Sequence, residues 1–403
     1  MLPIVDGMSP QFIGVDMNVG LLGALITMGV LSACTGGAVE ARRGAPVDSA
    51  GVLVSTGPAT DDTLPWRFTE VTQFGGADTG ALAFEVAAPY NVTTDGRSQI
   101  AVLDGRRDNR VHVFNASGVL LRSVGGRGGG PGELEIPLGL EFEPDGRLSV
   151  RDAAKSALVA WDSVGRPLTE RRLGVNYGRV WGMPRLRGDT VWAAVDLLDS
   201  TKSVRRLERW TPRDTLNVDS VVGARPTMVT FKCVGLALPP LLTGELIYAP
   251  GGTAVAVANQ SRYVIDVVEQ GKRVRSIRRA ITGAPTSPED ALKVYPEGLK
   301  VRFGGGRECV TPAAEVAQKM GMASTLPVVR AMTFAPTGEL WVERYVFEGE
   351  TPRTDVFDRD GRYLGTVFGR SLPLGFLGAD TVLFSVPDAD NGTSRIGVYR
   401  VAR

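Results

Sequence analysis

The chain has 403 residues, with 45 Lys and Arg against 44 Asp and Glu, for a formal net charge of +1. That length is enough for one large domain or for two to three ordinary ones. With 50 Gly, 25 Pro and 43% hydrophobic residues, the composition is globular and turn-rich, not disordered. The charge balance removes the basic excess of a nucleic-acid binder, so no nucleic-acid partner is expected. The local basic runs 202–213 and 272–279 read as solvated strand faces.

Residues 17–33 are apolar or small and carry no charge, a run short for a bilayer span and suited to a signal-peptide core. It ends in Leu31-Ser32-Ala33-Cys34, which resembles the lipobox of bacterial lipoproteins in all four positions. The resemblance implies cleavage before Cys34, with a lipid on its sulfur and the mature protein anchored at the cell envelope, at the outer membrane or its periplasmic face. Two or more acyl chains make such an anchor stable. No Lys or Arg precedes Arg42, so the usual basic n-region is missing, and Met17 is a candidate true start. An uncleaved N-terminal helix and a plain secretory signal are the alternatives to a 1–33 lipoprotein signal. Residues 34–65 are small, polar and without sustained periodicity, and read as a flexible tether.

From Trp66 onward one pattern recurs: a Gly turn, a short β-branched strand, an Asp or Asn, then further strands. The clearest copies are 94–104 and 144–152; weaker ones are 187–196, 250–259, 336–343 and 377–384. Six such units predict an all-β, six-bladed β-propeller over residues 66–403. The last unit runs out of chain one strand short, and residues 66–75 supply the missing outer strand, closing the ring and removing free sheet edges. Residues 109–118, followed by 125–139, resemble the NHL-type repeat of six-bladed propellers, and the whole chain resembles the exported propeller lipoproteins of bacteria. That resemblance implies architecture more than activity.

The single histidine, His112, sits in an alternating strand pattern, 109–115, on its polar face, and is expected to be exposed. One histidine excludes multi-His zinc sites, and neither a single-His metal set nor a Ser–His–Asp arrangement shows around it. The Gly-rich loop 125–132 lacks the Lys and the following helix of a phosphate cradle, and is expected to be a blade-to-blade connector.

Asp104, Asp152, Asp196, Asn259 and Glu343 end the second strands of successive blades, on one face around the central channel. They either cap their own turns or, as in the propeller lactonases, offer oxygen ligands to Ca²⁺. Arg179, Glu245 and Arg330 lie at the starts of inner strands, where charge is costly unless hydrated or paired. They are the candidate ligand-binding residues, against the alternative of a plain water-filled channel lined by ion pairs.

Two long connectors break the repeat. Residues 225–244 join blades three and four, and 284–327 join blades four and five, with helix starts at Ser287-Pro-Glu-Asp290 and Thr311-Pro-Ala-Ala-Glu315. Both emerge on the acidic-strand-end face and are expected to form a partial lid, the second a short helical insertion. With Cys34 lipidated, Cys233 and Cys309 remain, one in each connector, and an oxidising compartment predicts that they pair.

The favoured function is a non-catalytic binding or scaffolding propeller of the cell envelope, recognising a small ligand or an envelope protein on its lidded face, with no cofactor. The alternative is a Ca²⁺-dependent propeller hydrolase of the lactonase type.

Overall fold

A computed structural model of the chain describes residues 4–6, 46–75, 91–104, 108–143, 145–172, 180–187, 190–198, 203–211, 215–223, 227–231, 235–302, 308–388 and 393–403. Six antiparallel blades of four strands each follow one another. Blade one comprises Val92–Thr94, Gln99–Asp104, Arg110–Asn115 and Leu120–Gly125, and blade two Pro137–Phe142, Leu148–Asp152, Ala157–Trp161 and Arg171–Arg172. Blade three runs from Val180–Arg187 to Thr215–Gly223, and blade four from Leu246–Gly251 to Lys272–Arg279. Blade five comprises Val329–Phe334, Leu340–Arg344, Arg353–Phe357 and Tyr363–Phe368.

Blade six has Gly375–Leu377, Thr381–Asp388 and Thr393–Ala402 from the C-terminus. Its outer strand is Arg67–Phe74, paired antiparallel from Ala402↔Arg67 to Ile396↔Phe74. Each blade is sandwiched between two others, so both of its faces must be apolar. Blade one meets blade two through Leu103, Val111, Leu140 and Trp161, and equivalent clusters fill the other five interfaces. The closing strand belongs to this packing: Phe74 lies in the cluster between blades six and one, and its ring leaves no room for a Cβ at Gly118, at 2.7 Å.

The stretch expected to continue the tether to residue 65 has a different structure. Val52–Gly57 adds parallel to Lys272–Arg279, the outer strand of blade four, and Val47–Ser49 pairs beside it. The chain then crosses the outer strand of blade five, where Thr366 N–H donates to Asp62 and Leu64 N–H to Thr366. This belt lies against Gly365, where a Cβ would stand 2.7 Å from Leu64 Cα. Tethers do not bury side chains; this one buries Ser55 and Leu64.

The basic run 272–279, expected as a solvated strand face, also departs from expectation. Its last residue, Arg279, is fully buried at the seam of the belt with blades four and five. Its Nη1 donates to Asp355 Oδ2 at 2.7 Å, and its Nη2 meets Asp61 Oδ1 at 3.0 Å. The carbonyls of Pro58 and Thr60 accept from its Nε and Nη2, and the Tyr363 ring stacks on it at 4.2 Å. Burial alone lowers an arginine, but the Asp355 carboxylate outweighs it and holds Arg279 above its ordinary value.

The two long connectors build one small unit with its own core. Thr227–Thr230 and Gly235–Leu238 form a hairpin, and Leu299–Arg302 and Glu308–Thr311 another, to which Ile4–Asp6 adds. Helices α1 (Asp290–Val294) and α2 (Ala313–Met320) follow the two anticipated starts. Val229, Phe231 and Leu241 of the first connector pack against Ala291, Val301, Cys309 and Val316 of the second.

Candidate functional site

The candidate residues separate into three groups. Arg179 and Cys233 lie outside the described residues, as do Cys34 and the 17–33 segment, and nothing is described of the Asp196 side chain. Asp152 is buried and accepts from the N–H groups of Glu135, Ile136 and Lys155, so its oxygens fix the connector into blade two. Asn259 accepts from Ser261 N–H within its own turn. Asp104 is buried in blade one, and its carboxylate gathers with Asp108 and His112, not with acids of other blades.

Glu245 and Arg330 stand at successive inner strands, as the pattern indicated. Glu245 pairs with Arg205 of blade three at 3.2 Å, and its N–H donates to Gln260 Oε1. Arg330 sits in a β-bulge, where the register passes from Val329↔Arg344 to Ala331↔Glu343 and leaves it unpaired in the ladder. Bulges of this kind re-aim a side chain near a site. Gln260 bridges the two, since its Nε2 donates to the Arg330 carbonyl at 3.1 Å.

Around Arg330 lie the buried Glu343 carboxyl and the half-buried Tyr345 hydroxyl. Burial pushes the Glu343 carboxyl above its ordinary value, against Arg330, the Leu372 N–H and the Ser371 hydroxyl, which pull it back. Burial likewise pushes Tyr345 up to about 12, again opposed by Arg330. The lid reaches this group: Asp290 of α1 acts on Tyr345, and Lys293 Nζ of α1 lies 4.3 Å from the Phe347 ring centroid. Tyr345 carried no signal in the sequence, because a Tyr after a strand end is common and only the lid makes it part of a site.

A carboxyl raised in the fold stabilises below its unfolded value, near 4.5, and that contribution is lost as pH rises through the folded value. Glu343→Gln is therefore expected to melt no lower than wild type at pH 7–8, with any gap closing towards pH 4. Melting curves across that range check it; a deficit of the variant that is constant with pH overturns the assignment to burial.

His112 is buried, 7% exposed, and not on a solvated face. In the run from Arg110 to Asn115 only the first residue is exposed, since neighbouring blades cover both faces. Contrary to expectation, it does have a metal-type set around it: one ligand atom each of Asp104, Asp108 and His112 lies within 4.8 Å of the others. Burial lowers the imidazole from its ordinary value, and Asp108 and Asp104 oppose that.

The Gly-rich loop is a connector built on Asn109, whose Nδ2 donates to the carbonyls of Leu134 and Glu135 at 3.0 Å each. Cys309 is buried in the lid core.

The ring of six sheets and its lid define the class: an all-β propeller with an inserted cap. The sequence matches no protein family and no curated protein. Among solved structures, the chain is similar to a Bacteroides fragilis protein at TM-score 0.46 and 11% identity, covering 87% of this chain and 100% of that one. A member of the DUF4221 family from Bacteroides vulgatus gives TM-score 0.46 and 9% identity over 85% of this chain and 100% of that one. Regucalcin, a calcium-binding protein of Agrobacterium tumefaciens, gives 0.38 and 11% over 86% and 94%. At these values the likenesses carry no argument about activity, and the fold rests on the sheets themselves.

Proposed function

We propose that the protein is an exported, lipid-anchored binding propeller that holds an anionic small ligand, or an acidic side chain of an envelope partner, on its lidded face. The observation that carries this is Arg330, re-aimed by a bulge beside buried Glu343 and half-buried Tyr345 under α1. A guanidinium released from the strand ladder beneath the lid offers its positive charge to one anionic group. Glu245, already paired with Arg205, supports the wall of the site. Anchorage through Cys34 rests on the lipobox alone.

A Ca²⁺-dependent lactonase needs carboxylates of several blades on one ion. Asp152 is taken up by backbone N–H groups and Asp104 turns to its own hairpin, which favours the binding reading. A Cys233–Cys309 disulfide closes the lid in this proposal, supported by Val229 and Phe231, just before Cys233, packing in one cluster with Cys309.

The test is a thermal-shift series with defined anions: mono- and dicarboxylates, phosphate esters and uronic acids. At least one is expected to raise the melting temperature of wild type and not of Arg330→Ala. Shifts equal in the two proteins, or none with any anion, overturn the binding site. A Ca²⁺-dependent shift with lactone hydrolysis would replace it by the enzyme reading.

A further inference from the structure

We propose that Asp104, Asp108 and His112 of blade one form a binding site for a divalent first-row transition cation of the zinc type. The site is independent of the anion-binding reading above and lies on a different blade. The topology brings the three together: Asp104 ends the second strand opposite Arg110, which places it diagonal to His112 on the same sheet face. Asp108 stands in the turn between them, next to Asn109. The left-handed backbone of Asn109, φ 55°, and its two bonds to the next connector hold that turn in place.

His112 is held by the protein at one nitrogen, and Asp108 has one carboxylate oxygen paired and one left over. His112 Nδ1 meets Ser123 Oγ at 2.8 Å, and the residue is more than nine-tenths buried. Asp108 Oδ2 meets Arg110 Nε at 2.9 Å, whereas its Oδ1 is buried with no hydrogen-bond partner. An ionised acceptor left unsatisfied in the protein is among the costlier defects in a fold. A hydrogen bond at one imidazole nitrogen orients the ring of a metal-ligating histidine and leaves the other nitrogen to the ion. Buried Asp104 completes the donor set.

One imidazole and two carboxylates select the cation class. The nitrogen favours zinc over Ca²⁺ and Mg²⁺, which take oxygen ligands, and two carboxylates neutralise the charge of a divalent ion. Three protein ligands leave coordination positions for water. The half-exposed Asp108 side chain, at 47%, gives the ion a way in.

The experiment uses the whole chain, stripped with EDTA and returned to chelator-free buffer. Zn²⁺ is titrated by calorimetry, and Co²⁺ by visible absorption as a spectroscopic substitute. Wild type is expected to bind one equivalent saturably and to give the d–d bands of a low-coordinate Co²⁺ site. His112→Gln and Asp108→Asn should lose both signals. Ser123→Ala, a change at an exposed residue that leaves the ligands in place, should weaken binding about 10–100-fold. No saturable binding by wild type overturns the site, as does an affinity unchanged in Ser123→Ala together with Asp108→Asn. Should His112→Gln not fold, those two variants and the wild-type Co²⁺ spectrum decide the matter.

Discussion

Arg279→Met is expected to lower the stability of the folded chain by about 3–5 kcal/mol, the range for removing one partner of a buried ion pair. The loss comes less from the missing attraction than from what stays behind. Asp355 is as inaccessible as the arginine, and without it keeps only the hydroxyls of Tyr263 and Thr366. Pro58 and Thr60 lose the donors that seat the belt, and Asp61 is left with Arg344 at 2.6 Å and the looser, half-exposed Arg353. Asp61→Asn should cost less, because Asp61 is 15% exposed and water reaches it. Arg279→Met combined with Asp355→Leu should recover part of the loss, since a buried pair replaced entirely by apolar groups leaves no orphan charge. Urea midpoints at constant slope measure all three. A single-variant loss below about 1 kcal/mol, or a double variant worse than the sum of its parts, would sink the idea that this network holds the belt.

The fold was legible in the sequence wherever a local pattern carries the information. Period-two strands punctuated by glycine at 96, 146 and 338 mark blades, and the shortage of one strand at Arg403 points to Trp66 onward. The belt was not legible, because its members are far apart: Asp61, Arg279, Arg344 and Asp355 carry no mutual spacing rule, and Val52–Gly57 is one short strand pairing parallel at an outer edge. His112 and Arg279 misled for a single reason. Alternation of polar and apolar residues signals one wet face, but a blade inside a ring has none, so a polar residue there is buried with partners. The same blindness hides the site. Arg330 was visible as a charge at an inner strand start, but the bulge that frees it and the burial that raises Glu343 and Tyr345 depend on blades six and four and on the lid.

Removing the N-terminus in steps is expected to separate belt from ring. A variant starting at residue 46 keeps every described element of the propeller and should melt cooperatively. One starting at 66 loses the added strands on blade four and Asp61, but keeps Arg67–Phe74 against Thr393–Ala402. It should melt lower, by an amount comparable to Arg279→Met, and still in one transition. One starting at 76 loses the fourth strand of blade six, exposes the ladder groups of Thr393–Ala402 and removes Phe68 and Phe74 from two blade interfaces. Phe68 stacks edge-on against Trp341 and Phe384, at 6.4 and 5.7 Å, so blade five loses packing as well. That variant should show no cooperative transition, because blade six is left three-stranded with the ladder groups of Thr393–Ala402 unpaired. A synthetic peptide of residues 66–75 should restore the transition by adding as a strand to the open edge. Equal melting of the variants starting at 66 and 76 would place closure elsewhere, and failure of the variant starting at 46 would mean that residues before the belt hold the ring.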